Sequence, residues 1–134
     1  MIVRVVIDTN VLVSALIGHG KPRRLVAELL EGHQVVSSRQ MLAELVDVLS
    51  REKFKEAEKS QVNSFLSILS SRVVLVTVKQ SFKTVVEDPD DDMVLSTAHE
   101  GKATYIVSGD GHLLNLKRFG GIRIVTVNEM LQLL

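Results

Sequence analysis

Acidic residues recur at four separated places in the chain, each at or shortly after the end of an apolar, β-like run. Asp8 follows IVRVVI and Asp110 follows YIVSG, while Glu44 and the run Asp90–Asp92 fall in helical segments. If the strands are parallel, these positions share one edge of the sheet, where the carboxylates would repel one another. A divalent cation that prefers oxygen ligands, such as Mg²⁺ or Mn²⁺, relieves that repulsion. The pattern therefore predicts metal-dependent phosphodiester chemistry.

Each of these carboxylates also has a simpler structural explanation. Asp8 could be a helix N-cap, worth about 1 kcal/mol, and Asp110 could be a turn residue within Ser-Gly-Asp-Gly. Glu44 could be a partly exposed helix residue, and two of the three Asp in Asp90–Asp92 could serve only to stabilise a helix N-terminus. These explanations treat the four segments separately. The strand-to-helix setting that the segments share favours a common site.

Runs rich in β-branched residues alternate with helical patterns along the chain, which predicts βαβ units and a mainly parallel sheet. Residues 112–119 read as a short helix between the last two strands. In such a sheet, ligands bind at the carboxyl ends of the strands. The predicted strands are residues 2–7, 34–38, 73–78, 103–109 and 122–127.

The segment around Glu44 is expected to be an amphipathic helix. Ser37 and Gln40 have the spacing of a capping box, so the helix should begin there. Glu44 comes three residues after Met41 and lies on or beside the apolar face, where an unpaired carboxylate is costly to bury. This cost indicates a ligand role for Glu44. Asp47 is the weaker alternative.

Composition bounds the class of protein. The chain of 134 residues is 46% hydrophobic but 4% aromatic, so one domain, 1–134, with an aliphatic core is expected. The absence of Cys excludes disulfides, thiolate metal sites and Cys nucleophiles. Arg4 and Asp8 interrupt the first apolar run, which is unlike a signal peptide, and no run is long enough to span a membrane. We therefore expect a cytoplasmic protein.

The net charge is zero, but Lys and Arg exceed Asp and Glu in residues 1–84 and the reverse holds in residues 85–134. A basic half can simply be solvated helix surface, or it can follow phosphates beside an acidic pocket. Histidines show no metal-ligand spacing and are predicted to be surface or loop residues; they are His19, His33, His99 and His112. The candidate phosphate contacts are Lys21, Arg23, Arg24 and Arg39.

Taken in order, the acidic segments resemble the motifs of the PIN-domain family, and specifically its VapC-like toxin branch. VIDTNVLVSAL at 6–16 is similar to the first motif and LAEL at 42–45 to the second. DPDDDMVLSTA at 88–98 is similar to the third. YIVSGDGHLL at 105–114 is similar to the fourth, with Ser108 in place of the more usual Thr. The resemblance covers essentially the whole chain.

This resemblance implies a three-layer α/β/α sandwich with a mainly parallel sheet and a Mg²⁺- or Mn²⁺-dependent endoribonuclease site. Asp8, Glu44 and Asp110 match the family's acids. The third acid is Asp91 by preference, because it shares a helix face with Val94, Leu95 and Ala98, and Asp92 is the alternative.

Further roles follow from the same resemblance. Thr9, Asn10 and Ser108 would orient the carboxylates or water from outside the ligand set. The implied partners are RNA, an antitoxin protein and a second copy of the chain, with no membrane involved. The alternative is a non-catalytic RNA- or protein-binding module on the same scaffold. Loss of metal-dependent RNA cleavage in Asp8→Asn would separate the enzyme from that module.

Overall fold

The structure, a computed structural model, describes residues 1–51, 56–79 and 89–134. Within these residues one six-stranded sheet has the order β3-β2-β1-β4-β6-β5. Every neighbouring pair is parallel except β5 with β6. The strands are β1 Arg4–Ile7, β2 Gln34–Ser38, β3 Val74–Val76, β4 Tyr105–Val107, β5 Arg118–Phe119 and β6 Ile122–Val125.

Seven helices connect and cover these strands in the described part of the chain. Two helices separate β1 from β2, and one helix follows each of β4 and β6. The helices are α1 Thr9–Ile17, α2 Lys21–Gly32, α3 Arg39–Arg51, α4 Glu56–Arg72, α5 Pro89–Glu100, α6 Gly111–Leu116 and α7 Val127–Leu133. No helix among the described residues combines the length and the apolar character needed to cross a membrane.

Alternate residues of the central strands face opposite sides of the sheet and build two separate cores. On one side Val5, Ile7 and Val107 pack with buried residues of α1, α2 and α7. On the other side Val6 and Ile106 pack with buried residues of α5 and α6. Helices therefore cover both faces, and the predicted three-layer α/β/α sandwich with a mainly parallel sheet is confirmed.

The C-terminal region differs from the prediction in one element. The helix predicted for residues 112–119 ends at Leu116, and Arg118–Phe119 instead forms β5, antiparallel to β6. Lys117 and Gly120 take positive φ angles of 60° and 61°, which end the helix and allow a tight hairpin turn. The spacing of the apolar residues in this segment gives no indication of that turn.

The strand order places a topological switch between β1 and β4. The chain runs from β1 to β2 and β3 on one side, and then crosses to β4 on the other side of β1. Ligand crevices in open parallel sheets lie at such a switch, at the carboxyl ends of the strands. Asp8 and Asp110 follow the ends of these two strands, so the fold brings their segments together.

Candidate metal centre

Asp8 stands at the junction of β1 and α1 and is 9% exposed. Its backbone N–H donates to Val107 O at 2.9 Å, which joins the ends of β1 and β4. Although Asp8 holds the N-cap position of α1, its carboxylate makes no capping hydrogen bond there within the described residues. Instead Oδ2 accepts a 2.8 Å hydrogen bond from the buried Ser108 hydroxyl. Helix capping therefore does not account for this side chain.

Ser108 links two of the acidic segments. It has no exposed surface, and its Oγ also accepts a hydrogen bond of 3.0 Å from the backbone N–H of Asp110. One hydroxyl thus fixes the orientation of the Asp8 carboxylate and the path of the chain into Asp110. The orienting role that the sequence assigned to Ser108 is consistent with these contacts.

Asp110 is the N-cap of α6, and its Oδ1 accepts the backbone N–H of His112 at 2.9 Å. The turn-residue explanation is therefore correct for one of its two oxygens. A hydrogen bond with the Asp91 side chain is the main cause that holds the pKa of Asp110 below its ordinary value. The His112 backbone bond and the His112 side chain lower this pKa further, while partial burial opposes the shift.

Asp91, Asp110 and His112 form a group that could hold a metal ion, the one such group among the described residues. Asp91 lies buried in the first turn of α5, and His112 lies exposed in the first turn of α6. One ligand atom from each of the three lies within 4.8 Å of the others. Sequence reasoning missed His112, although its position two residues after Asp110, at the start of a helix, was an available signal.

Asp92 is buried beside Asp91 but does not belong to this group. Its Oδ1 and the Ser96 Oγ, one helical turn later, have no hydrogen-bond partner among the described residues. It is the ligand-atom distances that group Asp91, and not Asp92, with Asp110. The side chain of Asp90 lies outside the described part of the chain.

Glu44 approaches the same edge of the sheet from α3. The helix begins one residue later than predicted, because Ser38 and not Ser37 accepts the backbone N–H of Met41. Glu44 is half-buried, and its Oε2 accepts a 3.4 Å hydrogen bond from the Thr9 hydroxyl. Glu44 is thereby joined to the residue that follows Asp8.

Asn10, the third residue assigned an orienting role, is exposed on α1.

The basic side chains considered as phosphate contacts divide into two kinds, one bound within the protein and three exposed. Arg23 donates to the carbonyl oxygens of Ala15 and Leu16, at 2.9 and 2.6 Å, so its guanidinium closes the end of α1. Lys21 donates to Asn128 and is exposed in the first turn of α2. Arg24 is exposed in the same turn, and Arg39 is exposed at the start of α3.

The donor chemistry fits a divalent cation. Carboxylate oxygens suit Mg²⁺ and Mn²⁺, and imidazole nitrogen suits the transition metals. Ligands at 2.0–2.1 Å around an octahedral ion lie about 3.0 Å apart when adjacent and about 4.2 Å apart when opposite. A group whose ligand atoms lie within 4.8 Å of one another needs only small side-chain movements to reach these separations.

Comparisons with known proteins agree with this architecture. A sequence model of the PIN domain matches residues 4–112. An uncharacterized protein of Methanocaldococcus jannaschii is 31% identical over 119 residues, which span 86% of this chain and 76% of that protein. A chain in the crystal structure of VapBC2 from Rickettsia felis, bound to a DNA fragment from their promoter, has a similar fold. Its TM-score is 0.67 at 20% identity, over 92% of this chain and 98% of that one.

Proposed function

This chain belongs to the PIN-domain family, and on that premise we propose that it is a Mg²⁺- or Mn²⁺-dependent endoribonuclease, the toxin of a toxin–antitoxin pair. The observation that carries the proposal is the meeting of Asp91 with Asp110 at the end of β4, where Ser108 ties Asp110 to Asp8. Three segments far apart in sequence thus supply carboxylates to one edge. The crowding of these carboxylates calls for a cation.

The residues at this edge have distinct roles in the proposed site. Asp8, Glu44, Asp91 and Asp110 hold the ion, and Asp92 is the alternative to Asp91. When bound, Mg²⁺ or Mn²⁺ supplies Lewis-acid activation of the phosphodiester and of the attacking water. One of the carboxylates accepts the proton that this water gives up.

Orienting contacts keep the carboxylates in place. Ser108 fixes the Asp8 carboxylate, and Thr9 fixes Glu44 through the hydrogen bond to Oε2. Asn10, exposed on α1 two residues after Asp8, orients the carboxylates or water. Loss of such an outer contact typically costs about 10–100-fold in metal affinity or activity.

RNA would be held along the same edge by exposed cations. Arg39 begins α3 directly after β2, so it stands at the carboxyl end of the sheet with Asp8. Lys21 and Arg24 are exposed on α2 and add positive charge that phosphates can follow. Arg23 is excluded from this set because its guanidinium binds the end of α1.

The direct experiment is cleavage of a panel of structured RNAs by the purified protein with Mn²⁺, with EDTA, and as the Asp8→Asn/Asp91→Asn double variant. We expect cleavage with Mn²⁺ in the wild type only. Asp47→Asn is a matched control, because this acid is also on α3 but is exposed and pairs with Arg51. It should cleave as the wild type does.

The other outcomes have separate meanings. Cleavage that persists in EDTA or in the double variant would contradict the proposed site. Intact RNA with a protein that still binds RNA would favour the non-catalytic binding module on the same scaffold. Comparing Asp91→Asn with Asp92→Asn identifies the third acid, because loss of cleavage should follow Asp91.

We also propose an antitoxin protein as partner and a homodimer as the working unit. A groove of about 600 Å³ between α2 and α4, lined mainly by apolar side chains such as Leu30, Phe65 and Ile68, offers surface for a protein contact. Light scattering tests the homodimer, since the chain mass is 14.8 kDa and a dimer has twice that mass. A monomer at micromolar concentration would contradict it. A single nuclease domain across 1–134 and a cytoplasmic location stay predictions.

A further inference from the structure

His112 lies at the acidic edge, the edge of the sheet where Asp8, Asp91 and Asp110 come together. The four acidic motifs give no role to this histidine. Its backbone N–H serves the cap of α6, but its imidazole is a separate feature. The ring is 79% exposed, and its Nδ1 lies 3.9 Å from Oδ2 of the buried Asp91. That separation is too long for a hydrogen bond. An ion pair between an exposed ring and a carboxylate at this distance adds little to stability.

The same separation is suitable for two ligands of one ion. It falls between the distances of about 3.0 Å and about 4.2 Å expected for adjacent and opposite ligands of an octahedral Mn²⁺ or Mg²⁺. Asp110 supplies the third ligand atom, within 4.8 Å of the other two. Asp110 Oδ1 is directed toward the α6 backbone by the His112 N–H, which fixes how this carboxylate faces the group.

We propose that His112 Nδ1 is a ligand of the cation held by Asp91 and Asp110, and that this nitrogen makes the centre select Mn²⁺ over Mg²⁺. The inference rests on the proposed metal-dependent function. Mg²⁺ is a small, hard cation that takes oxygen ligands, whereas Mn²⁺ also suits carboxylates but, as a first-row transition metal, accepts imidazole nitrogen more readily than Mg²⁺ does. One imidazole added to the carboxylates of the site therefore increases its affinity for Mn²⁺ more than its affinity for Mg²⁺.

The test is Mn²⁺ binding, measured by electron paramagnetic resonance on the whole chain, with Mg²⁺ affinity obtained by competition. Pulsed measurements detect a nitrogen nucleus bonded to Mn²⁺, and incorporation of ¹⁵N-histidine identifies the nitrogen as imidazole. We compare the wild type with His112→Gln, Asp110→Asn and His99→Gln. His99 is an exposed histidine in the last turn of α5 and serves as the matched control.

We expect a histidine nitrogen signal in the wild type and in His99→Gln, and none in His112→Gln. The Mn²⁺ Kd of His112→Gln should rise at least about tenfold, the low end of the cost of losing even an outer partner of a metal ligand. Its Mg²⁺ Kd should rise less than about threefold, because Mg²⁺ relies on the oxygens. Thermal melting should be unchanged, since the exposed ring contributes little to packing.

Two results would overturn the inference in different ways. If the wild type binds Mn²⁺ and Asp110→Asn abolishes that binding, the proposed nuclease site stands. If in that case no histidine nitrogen is detected, or if the affinities for Mn²⁺ and Mg²⁺ fall equally in His112→Gln, His112 is not a ligand. If the wild type binds no Mn²⁺ at millimolar concentration, the metal centre fails and the proposed function fails with it.

Discussion

Replacing Ser108 with alanine tests the contact that organises the acidic edge. The hydroxyl is fully buried, donates to Asp8 Oδ2 at 2.8 Å and accepts the Asp110 backbone N–H at 3.0 Å. Alanine removes both hydrogen bonds while keeping the backbone and leaving a space of only one oxygen. The change therefore isolates the two bonds from packing.

The expected cost follows from the two partners. A hydrogen bond to a charged group is worth about 1.5–3 kcal/mol and a neutral one about 0.5–1.5 kcal/mol, so the loss should be about 2–4.5 kcal/mol. With about 2.1 cal/mol/K of unfolding entropy per residue and 134 residues, each kcal/mol lowers Tm by about 3.6 °C. Ser108→Ala should therefore melt about 7–16 °C below the wild type.

Thermal unfolding followed by circular dichroism measures this shift, and isothermal titration with Mn²⁺ measures the effect on the site. We expect weaker metal binding as well, because Asp8 loses the donor that orients its carboxylate. Ser108→Thr is the matched control, since it keeps the hydroxyl. A Tm of Ser108→Ala within about 2 °C of the wild type, with unchanged metal affinity, would refute the importance of this bridge.

Three further predictions concern metal, packing and capping. Millimolar Mg²⁺ or Mn²⁺ should raise the wild-type Tm, by about 10 °C at a hundredfold excess over Kd, and much less in Asp8→Asn; equal shifts would argue against the site. Gly101→Ala should cost about 1–3 kcal/mol in denaturant unfolding, because the added Cβ would collide with the Val36 side chain. Thr126→Ala should cost about 1 kcal/mol, because the Thr126 side chain caps α7. The Thr126 backbone and side-chain hydrogen bonds lower the pKa of Glu129. The stability that ionised Glu129 adds to the cap is therefore complete above the ordinary pKa of Glu, and it is lost as pH falls through the lowered pKa. The difference in free energy of unfolding between the wild type and Thr126→Ala should therefore become smaller when it is measured at successively lower pH.

Much of the fold could be predicted because its strands are local apolar runs. Val5–Ile7 and its counterparts in β2, β4 and β6 are short, β-branched and buried on both sides, which is what a parallel sheet requires. Their alternation with helices then leaves few topologies. The antiparallel β5 escaped prediction because it has two residues and depends on positive φ angles at Lys117 and Gly120.

The candidate site was only partly predictable for a different reason. The sequence places acids at strand ends, but it does not say which side chains meet. The contact between His112 and the Asp91 carboxylate depends on how α6 lies against α5, and the Ser108 hydrogen bond to Asp8 spans one hundred positions. No periodicity carries that information. The Thr9 contact with Glu44 has the same long-range origin.

The lowered pKa of Asp110 determines how this edge of the sheet responds to pH. The hydrogen bond with the Asp91 side chain is the main cause of the shift, so a group on α5 favours the ionised form of Asp110. The stability that ionised Asp110 contributes is complete above the ordinary pKa of Asp and is lost as pH falls through the lowered value. Ionising both groups in contact would be unfavourable without a compensating charge. A cation bound by both groups would compete with protons for the same oxygens, so metal affinity at this edge must fall as pH falls.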